Sequence, residues 1–295
     1  MTIYWAYQCA SWLSRTLPSA CAYWLGVRVA DLFYWRDQEG RCAVLQNLRR
    51  IHEAQGRSIT DRALQSMARA TYRCFGKYLV DFFRLGDVSD VFRGAEVCIE
   101  HEDYLADCVA RGRGVILVTG HFGNWELGGA VLAARGHEVH AVVLPYRSEK
   151  VERLFNHYRE RRGIHTVPFG HAARDLVRYL QEGKMVALLA DRDFSAHQHE
   201  ATFFNRVTSM PRGPAWLAMK TGAPVLPAFM IRQPDDSFLL RFHAPLFPEA
   251  LKTEDRIRDR ICAGLEREIG EQPHQWFIFE DFWDNENGRR GHRHG

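Results

Sequence analysis

The sequence lacks features that would decide its class at once. Its N-terminal uncharged segments, residues 1–14 and 16–27, are interrupted by Arg15 and Arg28, so neither reaches the roughly 20 apolar residues of a membrane-spanning helix. A cleaved signal is not expected, because one would begin with positive charge and end in a small-residue cleavage site. The seven cysteines contain no C-x-x-C pair, which excludes zinc-ribbon and thioredoxin-like motifs. They are expected to be reduced thiols in the core.

Charge of one sign is also scarce. The 39 Lys and Arg residues against 36 Asp and Glu give a net charge of only +3, which is too small an excess to indicate a nucleic-acid-binding protein. A hydrophobic share of 46% and a charged share of 25% are typical of globular proteins. The 295 residues are enough for one large domain or two small ones.

Several catalytic and nucleotide-binding motifs are missing. There is no G-x-S-x-G elbow, no G-x-x-x-x-G-K-[ST] loop, no G-x-G-x-x-G and no H-E-x-x-H in the chain, so the commonest hydrolase, nucleotide and zinc-protease classes are excluded. The segment 197–200, His-Gln-His-Glu, contains ligand-type residues at strand or loop spacing only. No metal and no cofactor are therefore expected.

Aromatic residues, in contrast, are abundant at the N-terminus. Eight Trp or Tyr residues fall within the first 35 positions: Tyr4, Trp5, Tyr7, Trp12, Tyr23, Trp24, Tyr34 and Trp35. Such amphipathic rings concentrate where hydrocarbon meets water. Residues 1–35 are therefore predicted to form a helical hairpin, split at Pro18, that lies in or dips into one membrane leaflet. The alternative is a pair of aromatic helices packed on the core of the domain.

Apolar runs of strand length alternate with helical patterns from about Glu96 onward. The predicted strands are 114–119, 139–144, 185–190, 225–231 and 238–243, and the predicted helices are 125–134, 149–162, 172–181, 214–221 and 254–269. Two further helices are predicted before them, at 40–56 and 60–85. This alternation predicts an α/β fold with a mixed, mostly parallel sheet flanked by helices. Residues 36–285 are expected to form a single domain, followed by a disordered tail at 286–295.

Two positions in this pattern are candidates for chemistry, because α/β sites gather beyond the carboxyl ends of strands. The first is the Gly120–Glu126 segment, where His121 follows a buried strand and Glu126 falls in the first turn of a helix. A carboxylate there could accept a hydrogen bond from one imidazole nitrogen and leave the other free to take a proton. The structural alternative is an ordinary His–Glu contact.

The second position follows Ala190 and reads Asp191-Arg192-Asp193. This turn could hold one guanidinium between two carboxylates, brace a site or bind a polar head group; otherwise it is a self-satisfied surface turn.

Between the two positions lies a basic helix with Arg147, Lys150, Arg153, Arg159, Arg161 and Arg162. It is either a solvated face or a surface for a phosphate or an acidic carrier protein. Arg159 is expected to face His121, and the others are expected to face solvent.

The segment HFGNWE, which follows GVILVTG, resembles the signature of the lysophospholipid acyltransferase superfamily. The resemblance is closest to the branch that contains the late acyltransferases of bacterial lipid A biosynthesis and the phosphatidylinositol mannoside acyltransferases. Four more stretches carry it: LFNHYRERRG at 154–163, LLADRDFS at 188–195, ATFFNRVTSMPRGPAWLAMKTGAPVLPAF at 201–229 and HQWFIFEDFW at 274–283. The similarity covers nearly the whole chain, although the short, charge-broken N-terminus departs from the longer lipid A enzymes.

The resemblance implies a function and a set of site residues. The implied enzyme moves a fatty acyl chain from an acyl carrier protein or coenzyme A thioester to a hydroxyl of a lipid A precursor or related glycolipid, at the cytoplasmic face of the inner membrane. The alternatives are transfer to a glycosylated phospholipid and a catalytically inactive lipid-binding protein. His121, Glu126 and Arg159 would be catalytic. The implied substrate-binding residues are Gly123, Asn124, Arg147, Asp191, Arg192 and Asp193.

Overall fold

The computed structural model describes residues 2–86, 96–170, 172–194 and 199–283. The helices are α1 (Thr2–Thr16), α2 (Ser19–Arg36), α3 (Gln38–Ala54), α4 (Asp61–Arg84), α5 (Glu102–Ala110), α6 (Trp125–Ala134), α7 (Glu149–Arg161), α8 (Ala172–Gln181), α9 (Gly213–Thr221), α10 (Pro248–Leu251) and α11 (Glu254–Glu271). The strands are β1 (Val97–Glu100), β2 (Val115–Thr119), β3 (Val139–Val143), β4 (Ile164–Pro168), β5 (Met185–Leu189), β6 (Glu200–Phe203), β7 (Arg206–Ser209), β8 (Val225–Arg232) and β9 (Phe238–Phe242).

Seven of these strands form one mixed sheet. Their order is β1-β9-β8-β2-β5-β3-β4. Neighbours pair in parallel except at β8 and β9, which are antiparallel. The remaining strands, β6 and β7, form a separate antiparallel hairpin. The predicted fold class, a mostly parallel sheet flanked by helices, is therefore confirmed.

Strand β2 shows how the sequence produces this sheet. Its side chains alternate between two apolar clusters, since successive residues of a strand point to opposite faces. Ile116 and Val118 belong to the cluster that contains residues of α8, α9 and α11. Val115 and Leu117 belong to the cluster that contains residues of α5 and α6. Burial on both faces explains why the strand reads as a continuous apolar run.

The four N-terminal helices form a layer of their own against the sheet domain. Helices α2 and α4 cross at two glycines, where a Cβ added to Gly76 would lie 2.7 Å from the Gly26 carbonyl oxygen. The split at Pro18 is confirmed, because α1 ends at Thr16 and α2 begins at Ser19. Thr60 caps α4, its side chain accepting a hydrogen bond from the Ala63 backbone N–H.

The N-terminal aromatic residues divide by type. The four tryptophans of α1 and α2 are each 62–64% exposed. The tyrosines pack inward: Tyr34 is buried, Tyr7 contacts Phe83 and Phe155, and Tyr23 donates a hydrogen bond to Asp81. The inward-packed tyrosines fit the alternative of helices packed on the domain, and contact of the exposed tryptophans with a membrane stays a prediction. Within the described part of the chain, no helix combines the length and the apolar character needed to cross a bilayer.

Several features differ from the sequence-based expectations. The predicted strands and helices from 114 to 269 are present within a few residues, but β1, α5, β4, α10 and the β6–β7 hairpin were not predicted. Only Cys108 and Cys262 are buried, and the other cysteines are exposed or half-buried. The prediction of core thiols is therefore wrong for most of them. The predicted tail at 286–295 lies outside the described residues, and the domain boundaries stay a prediction.

Asp81 near the end of α4 ties the helical layer to the sheet domain. Its buried carboxylate accepts hydrogen bonds from the Tyr23 hydroxyl at 2.5 Å and the Asn124 side-chain amide at 3.0 Å, and it forms an ion pair with buried Arg232. Burial raises the pKa of Asp81, and the charge of Arg232 opposes that rise. This one carboxylate connects α2, α4, β8 and the loop before α6.

The substitution Asp81→Asn should lower the free energy of unfolding by about 3 kcal/mol, the lower end of the cost of breaking a buried ion pair. It removes the buried partner of Arg232 and leaves that guanidinium paired only with the half-buried Asp236, at 3.2 Å. Asp61→Asn is the matched control, since Asp61 pairs with Arg49 at the surface, with side chains 83% and 55% exposed. It should cost at most about 1 kcal/mol. Urea denaturation of both variants measures the difference, and equal midpoints would contradict the structural role of Asp81.

Candidate active site

The two positions singled out in the sequence meet at one edge of the sheet. Strands β2 and β5 are parallel neighbours, and Thr119 at the end of β2 pairs with Leu189 at the end of β5. His121 and Asp191 follow these two strand ends at the same spacing, two residues beyond the last pair. Adjacent parallel strands therefore deliver an imidazole and a carboxylate to the same place, as expected of α/β sheets.

His121 and Asp191 make two contacts. The Nδ1 of His121 lies 2.8 Å from Oδ1 of Asp191, and the His121 backbone N–H donates to Oδ2 at 2.7 Å. The Asp191 side chain is fully buried, whereas His121 is 20% exposed. A carboxylate on Nδ1 favours the tautomer that leaves Nε2 free to accept a proton. Burial opposes the ionised form of Asp191, but the His121 charge and the donated hydrogen bonds outweigh it and hold the pKa of Asp191 below its ordinary value.

The C-terminal segment, residues 274–283, contacts both Asp191 and the loop that carries His121. The indole Nε1–H of Trp276 donates to Oδ2 of Asp191 at 2.9 Å. Backbone bonds run from the Phe277 N–H to the His121 carbonyl at 2.7 Å and from the Gly123 N–H to the Gln275 carbonyl at 2.9 Å. Sequence reasoning did not assign Trp276 a place in the site. Its only signal was membership of the HQWFIFEDFW stretch.

Glu126 has a different partner from the predicted one. Its carboxylate accepts from Arg159 Nη2 at 2.7 Å and from Arg159 Nε at 3.0 Å, and both side chains are nearly buried, at 6% and 10% exposure. Burial works against the charge of Arg159, but Glu126 more than compensates and raises the pKa of Arg159. The prediction that Glu126 orients the His121 imidazole is therefore wrong in its geometry, because Asp191 occupies that position.

His121, Glu126 and Arg159 all line one large cavity of about 840 Å³. This volume falls within the range typical of small-molecule sites. Deep in the cavity, the wall formed by the sheet carries small side chains at Ala141 and Ala187, which are paired in register on β3 and β5. Gly128 and Gly129 of α6 also line it. Because residues of both α6 and the sheet line it, the cavity extends between these two elements as a channel.

The cavity opens at an apolar rim. Four of the exposed large apolar side chains line it: Leu144, Tyr146, Phe169 and Phe194. Tyr7 of α1 is also among the lining residues, so the N-terminal helical layer reaches the cavity. These side chains offer an apolar surface to a long apolar ligand at the cavity.

Gly123 and Asn124, predicted to contact substrate, have structural contacts. Asn124 is the N-cap of α6, with its side-chain oxygen accepting from the Leu127 N–H at 3.1 Å. Gly123 adopts a φ of +61°, and a Cβ there would overlap the Met230 carbonyl oxygen. These contacts fix the loop that carries His121. Direct contact of either residue with substrate stays a prediction.

The Asp191-Arg192-Asp193 turn does not hold a guanidinium between its own carboxylates, as had been considered. Arg192 forms an ion pair with Glu280 of the C-terminal segment, and Asp193 accepts a hydrogen bond from the Ser209 hydroxyl at 2.8 Å. Asp191 is occupied by His121. Arg192 and Asp193 nevertheless line the cavity, so a role in binding substrate stays open to test.

The basic residues around α7 were predicted to face solvent except for Arg159, and the structure agrees with one exception. Arg159 turns inward to Glu126, and Arg147, Lys150, Arg153 and Arg161 are exposed. The expectation that Arg162 faces solvent is wrong: it is fully buried and contacts the faces of Phe82 and Tyr158. It donates to the carbonyls of Phe82 and Leu85, and burial lowers its pKa to about 10. Arg162 therefore anchors the end of α4 to α7.

Metal ligation finds no support in this region. In the residues that the structure describes, no group of three or more His, Cys, Asp or Glu side chains is placed to hold a metal ion. Two members of the segment 197–200 considered above, His197 and Gln198, lie outside the described residues.

An imidazole held by a buried carboxylate and an ion-paired arginine line the same, mostly apolar cavity, an arrangement that can support acyl transfer. Residues 1–285 match the family described as bacterial lipid A biosynthesis acyltransferase. The chain belongs to this family and is an acyltransferase.

Among its relatives is a phosphatidylinositol mannoside acyltransferase of Mycolicibacterium smegmatis, 27% identical over 93% of this chain and 89% of the relative. Another is the phosphatidylinositol mannoside acyltransferase of Mycobacterium tuberculosis H37Rv, 30% identical over 76% of this chain and 71% of the relative.

Gly123→Ala should destabilise the fold by more than ~3 kcal/mol, because the new methyl group overlaps backbone that cannot move away cheaply. Gly136→Ala is the control: Gly136 also has a positive φ, +90°, but has open space around it, so only the left-handed strain of about 1–2 kcal/mol applies. Thermal unfolding of the two variants compares them. Equal losses would mean that the contact with Met230 does not constrain the loop.

Proposed function

We propose that the protein transfers a fatty acyl chain from a thioester to a sugar hydroxyl of a glycolipid, with His121 as general base. The observation that carries this proposal is the His121–Asp191 pair, in which His121 lines the apolar cavity and its Nδ1 lies 2.8 Å from a buried carboxylate. In this arrangement Nε2 is the nitrogen that accepts the proton. The acyl chain of the donor would occupy the channel between α6 and the sheet.

The proposed reaction is a direct attack. His121 Nε2 removes the proton of the acceptor hydroxyl as its oxygen attacks the thioester carbonyl, and Asp191 stabilises the imidazolium that forms. A tetrahedral oxyanion develops at the carbonyl oxygen. Collapse of this intermediate breaks the carbon–sulfur bond, and the thiolate leaves with the proton held by His121. The products are the new ester and the free thiol.

Arg159 is the proposed stabiliser of the oxyanion. Glu126 fixes its guanidinium from one side through Nε and Nη2, and Asn156 accepts from Nη1 at 3.2 Å. A guanidinium held in this way needs little reorganisation when negative charge develops, which is the main source of electrostatic catalysis. Glu126 would then act through Arg159 and not through His121.

Two acceptor classes have support. The two relatives described above are phosphatidylinositol mannoside acyltransferases, which favours a glycosylated phospholipid. The family description names lipid A biosynthesis, which favours a lipid A precursor. Both acceptors present sugar hydroxyls on an amphipathic lipid, and the apolar rim formed by Leu144, Tyr146, Phe169 and Phe194 suits either one.

The donor is proposed to be an acyl carrier protein or coenzyme A thioester. Both carry phosphate groups, and the exposed side chains of Arg147, Lys150 and Arg153 offer positive charge near the start of α7. Arg153 is partly neutralised by Glu149 at 3.6 Å, but that pair is highly exposed and therefore weak. These residues are the proposed docking surface for the donor.

We further propose that α1 and α2 bind the membrane surface peripherally. Eight of the fifteen exposed large apolar side chains in the described residues lie on these two helices: Ile3, Trp5, Trp12, Trp24, Val29, Leu32, Phe33 and Trp35. Exposed apolar patches of this kind mark contact surfaces, and indole rings favour the lipid–water interface. The proposed location is the cytoplasmic face of the bacterial inner membrane.

The kinetic test of the proposed base uses the purified protein, a long-chain acyl-coenzyme A, and vesicles that contain either acceptor. His121→Ala should lose ~10²–10⁴-fold in acyl transfer, the usual worth of a general base. Asp191→Asn should lose a comparable factor, because the amide can no longer stabilise the imidazolium. Release of free thiol and mass spectrometry of the lipid product measure both steps.

Asp61→Asn serves as the control in this series, since its carboxylate lies at the surface of α4 and Asp61 is not among the residues that line the cavity. Its loss should change the rate less than about twofold. Full transfer activity in folded His121→Ala protein would sink the proposed mechanism. Formation of product with neither acceptor, under conditions where the wild-type protein is folded and bound to vesicles, would sink the proposed reaction.

Membrane binding is tested by replacing Trp5, Trp12, Trp24 and Trp35 together with glutamine. Each buried large apolar side chain is worth ~1.5–3 kcal/mol, so partial burial of four should make vesicle binding at least ~10-fold weaker after their removal. Replacing Val109, Val207 and Met219 with serine is the control, because these residues are exposed elsewhere. Cosedimentation with anionic vesicles compares the two variants. Binding that survives the quadruple replacement rules out this surface.

A further inference from the structure

The C-terminal segment from His274 to Trp283 contributes more to the site than a covering layer. Phe122 and Trp276 form an isolated antiparallel bridge, so the segment runs as a short strand along the loop that carries His121. Trp276 is only 3% exposed. Its indole N–H reaches past the loop to Oδ2 of Asp191 at 2.9 Å. A residue about 85 positions away in the chain therefore contacts the carboxylate that holds the imidazole.

We infer that Trp276 is a positioning residue: its indole N–H holds the Asp191 carboxylate in the orientation that aims Oδ1 at His121 Nδ1. This inference rests on the proposed function, in which Asp191 stabilises the imidazolium of His121. Trp276 itself touches neither substrate nor the reacting atoms.

The distribution of donors on Asp191 supports this role. Oδ2 accepts two hydrogen bonds, from Trp276 Nε1 and from the His121 backbone N–H, while Oδ1 accepts from the imidazole. Two donors on one oxygen fix the rotation of the carboxylate. The second oxygen then has one direction in which to point, toward Nδ1. Without the indole donor, a single bond to Oδ2 would leave that rotation less constrained.

The residues packed around Trp276 offer no substitute for its indole N–H as a hydrogen-bond donor to Asp191. Its ring packs against Phe203, Phe282 and Trp283, with centroids 6.1, 5.0 and 6.0 Å away. Close-packed rings admit no water to replace a lost N–H donor. The segment is held in turn by Asn47 of α3, whose side-chain amide donates to the Glu280 carbonyl at 2.8 Å. The position of the indole is therefore fixed by these contacts as well as by its hydrogen bond to Asp191.

Trp283 is a matched control in the same segment. It is also buried, and its indole N–H also donates a hydrogen bond, at 3.1 Å, but to the Phe203 carbonyl and not to the site. Changing either tryptophan to phenylalanine removes one buried indole donor and keeps an aromatic ring. A loss that reflects only stability should therefore appear in both variants, and a loss through Asp191 should appear only in Trp276→Phe.

The kinetic test measures acyl transfer from a long-chain acyl-coenzyme A in vesicles that contain the acceptor. Trp276→Phe should lower kcat about 10- to 100-fold, the worth of one hydrogen bond to a charged group, with KM unchanged. Trp283→Phe should change kcat less than about twofold. In an Asp191→Asn background, Trp276→Phe should add less than about twofold, because the two residues act as one unit. Additive losses, or equal losses in the two tryptophan variants, would overturn the inference.

A second measurement does not depend on activity. In ¹⁵N-tryptophan-labelled intact protein, Asp191→Asn should shift the indole N–H resonance assigned to Trp276 and leave that of Trp283 in place. This NMR measurement tests the Trp276–Asp191 contact even if the Trp276→Phe variant does not fold. An unmoved Trp276 resonance would refute the contact itself. A shifted resonance in a protein that transfers no acyl group would uphold the contact and refute the proposed function.

Discussion

The Asp191 carboxylate is the group on which the arrangement of the site depends. A fully buried carboxylate is costly unless donors surround it, and its donors come from two distant parts of the chain: the loop after β2 and the C-terminal segment. The charge is satisfied only when both are in place beside the end of β5. The orientation of the His121 imidazole therefore depends on three parts of the fold: the sheet, the loop after β2 and the C-terminal segment.

Two further buried carboxylates surround the same loop. Asp81 holds Asn124 and pairs with Arg232, and Glu126 pairs with Arg159. Each of these carboxylates is matched by a cation from a different element, β8 in one case and α7 in the other. Breaking such a buried pair is far costlier than breaking a surface one. The HFGNWE segment is therefore bound by buried polar contacts to α4, α7 and the loop after β5, the kind of restraint that the proposed electrostatic catalysis requires.

The central strands of the sheet could be predicted from the sequence, and the edge strands β1 and β4 could not. Strand β2 is buried on both faces and reads as one apolar run. Edge strand β1 has only four residues and no buried position, and edge strand β4 has two buried positions among five, so neither reads as an apolar run long enough to predict a strand. The edge of the sheet that carries the site was also predictable, since it follows from two parallel strand ends.

The pairing within the site was not predictable from spacing. His121 and Glu126 are five residues apart in the chain, and that proximity suggested a contact. Asp191 is 70 residues away but follows the neighbouring strand. Strand order decides such a contact, and no local pattern reports it. Arg162 was misplaced for a related reason: helix periodicity gives the direction of a side chain but not the neighbour that it meets, here the end of α4.

The division of the N-terminal aromatic residues follows from the chemistry of their polar groups. A buried tyrosine hydroxyl needs a partner, and Tyr23 finds it in Asp81, so this tyrosine packs α2 against α4 and joins the network that reaches Asn124. The tryptophans remain outside, where their rings can meet lipid. One side of these two helices thus contacts the site network, the other exposes the tryptophans that are proposed to meet a bilayer, and Tyr7 of α1 lines the cavity itself. The proposed membrane surface and the proposed acyl-transfer site therefore share one helix, α1, which carries both exposed Trp5 and Trp12 and the cavity residue Tyr7.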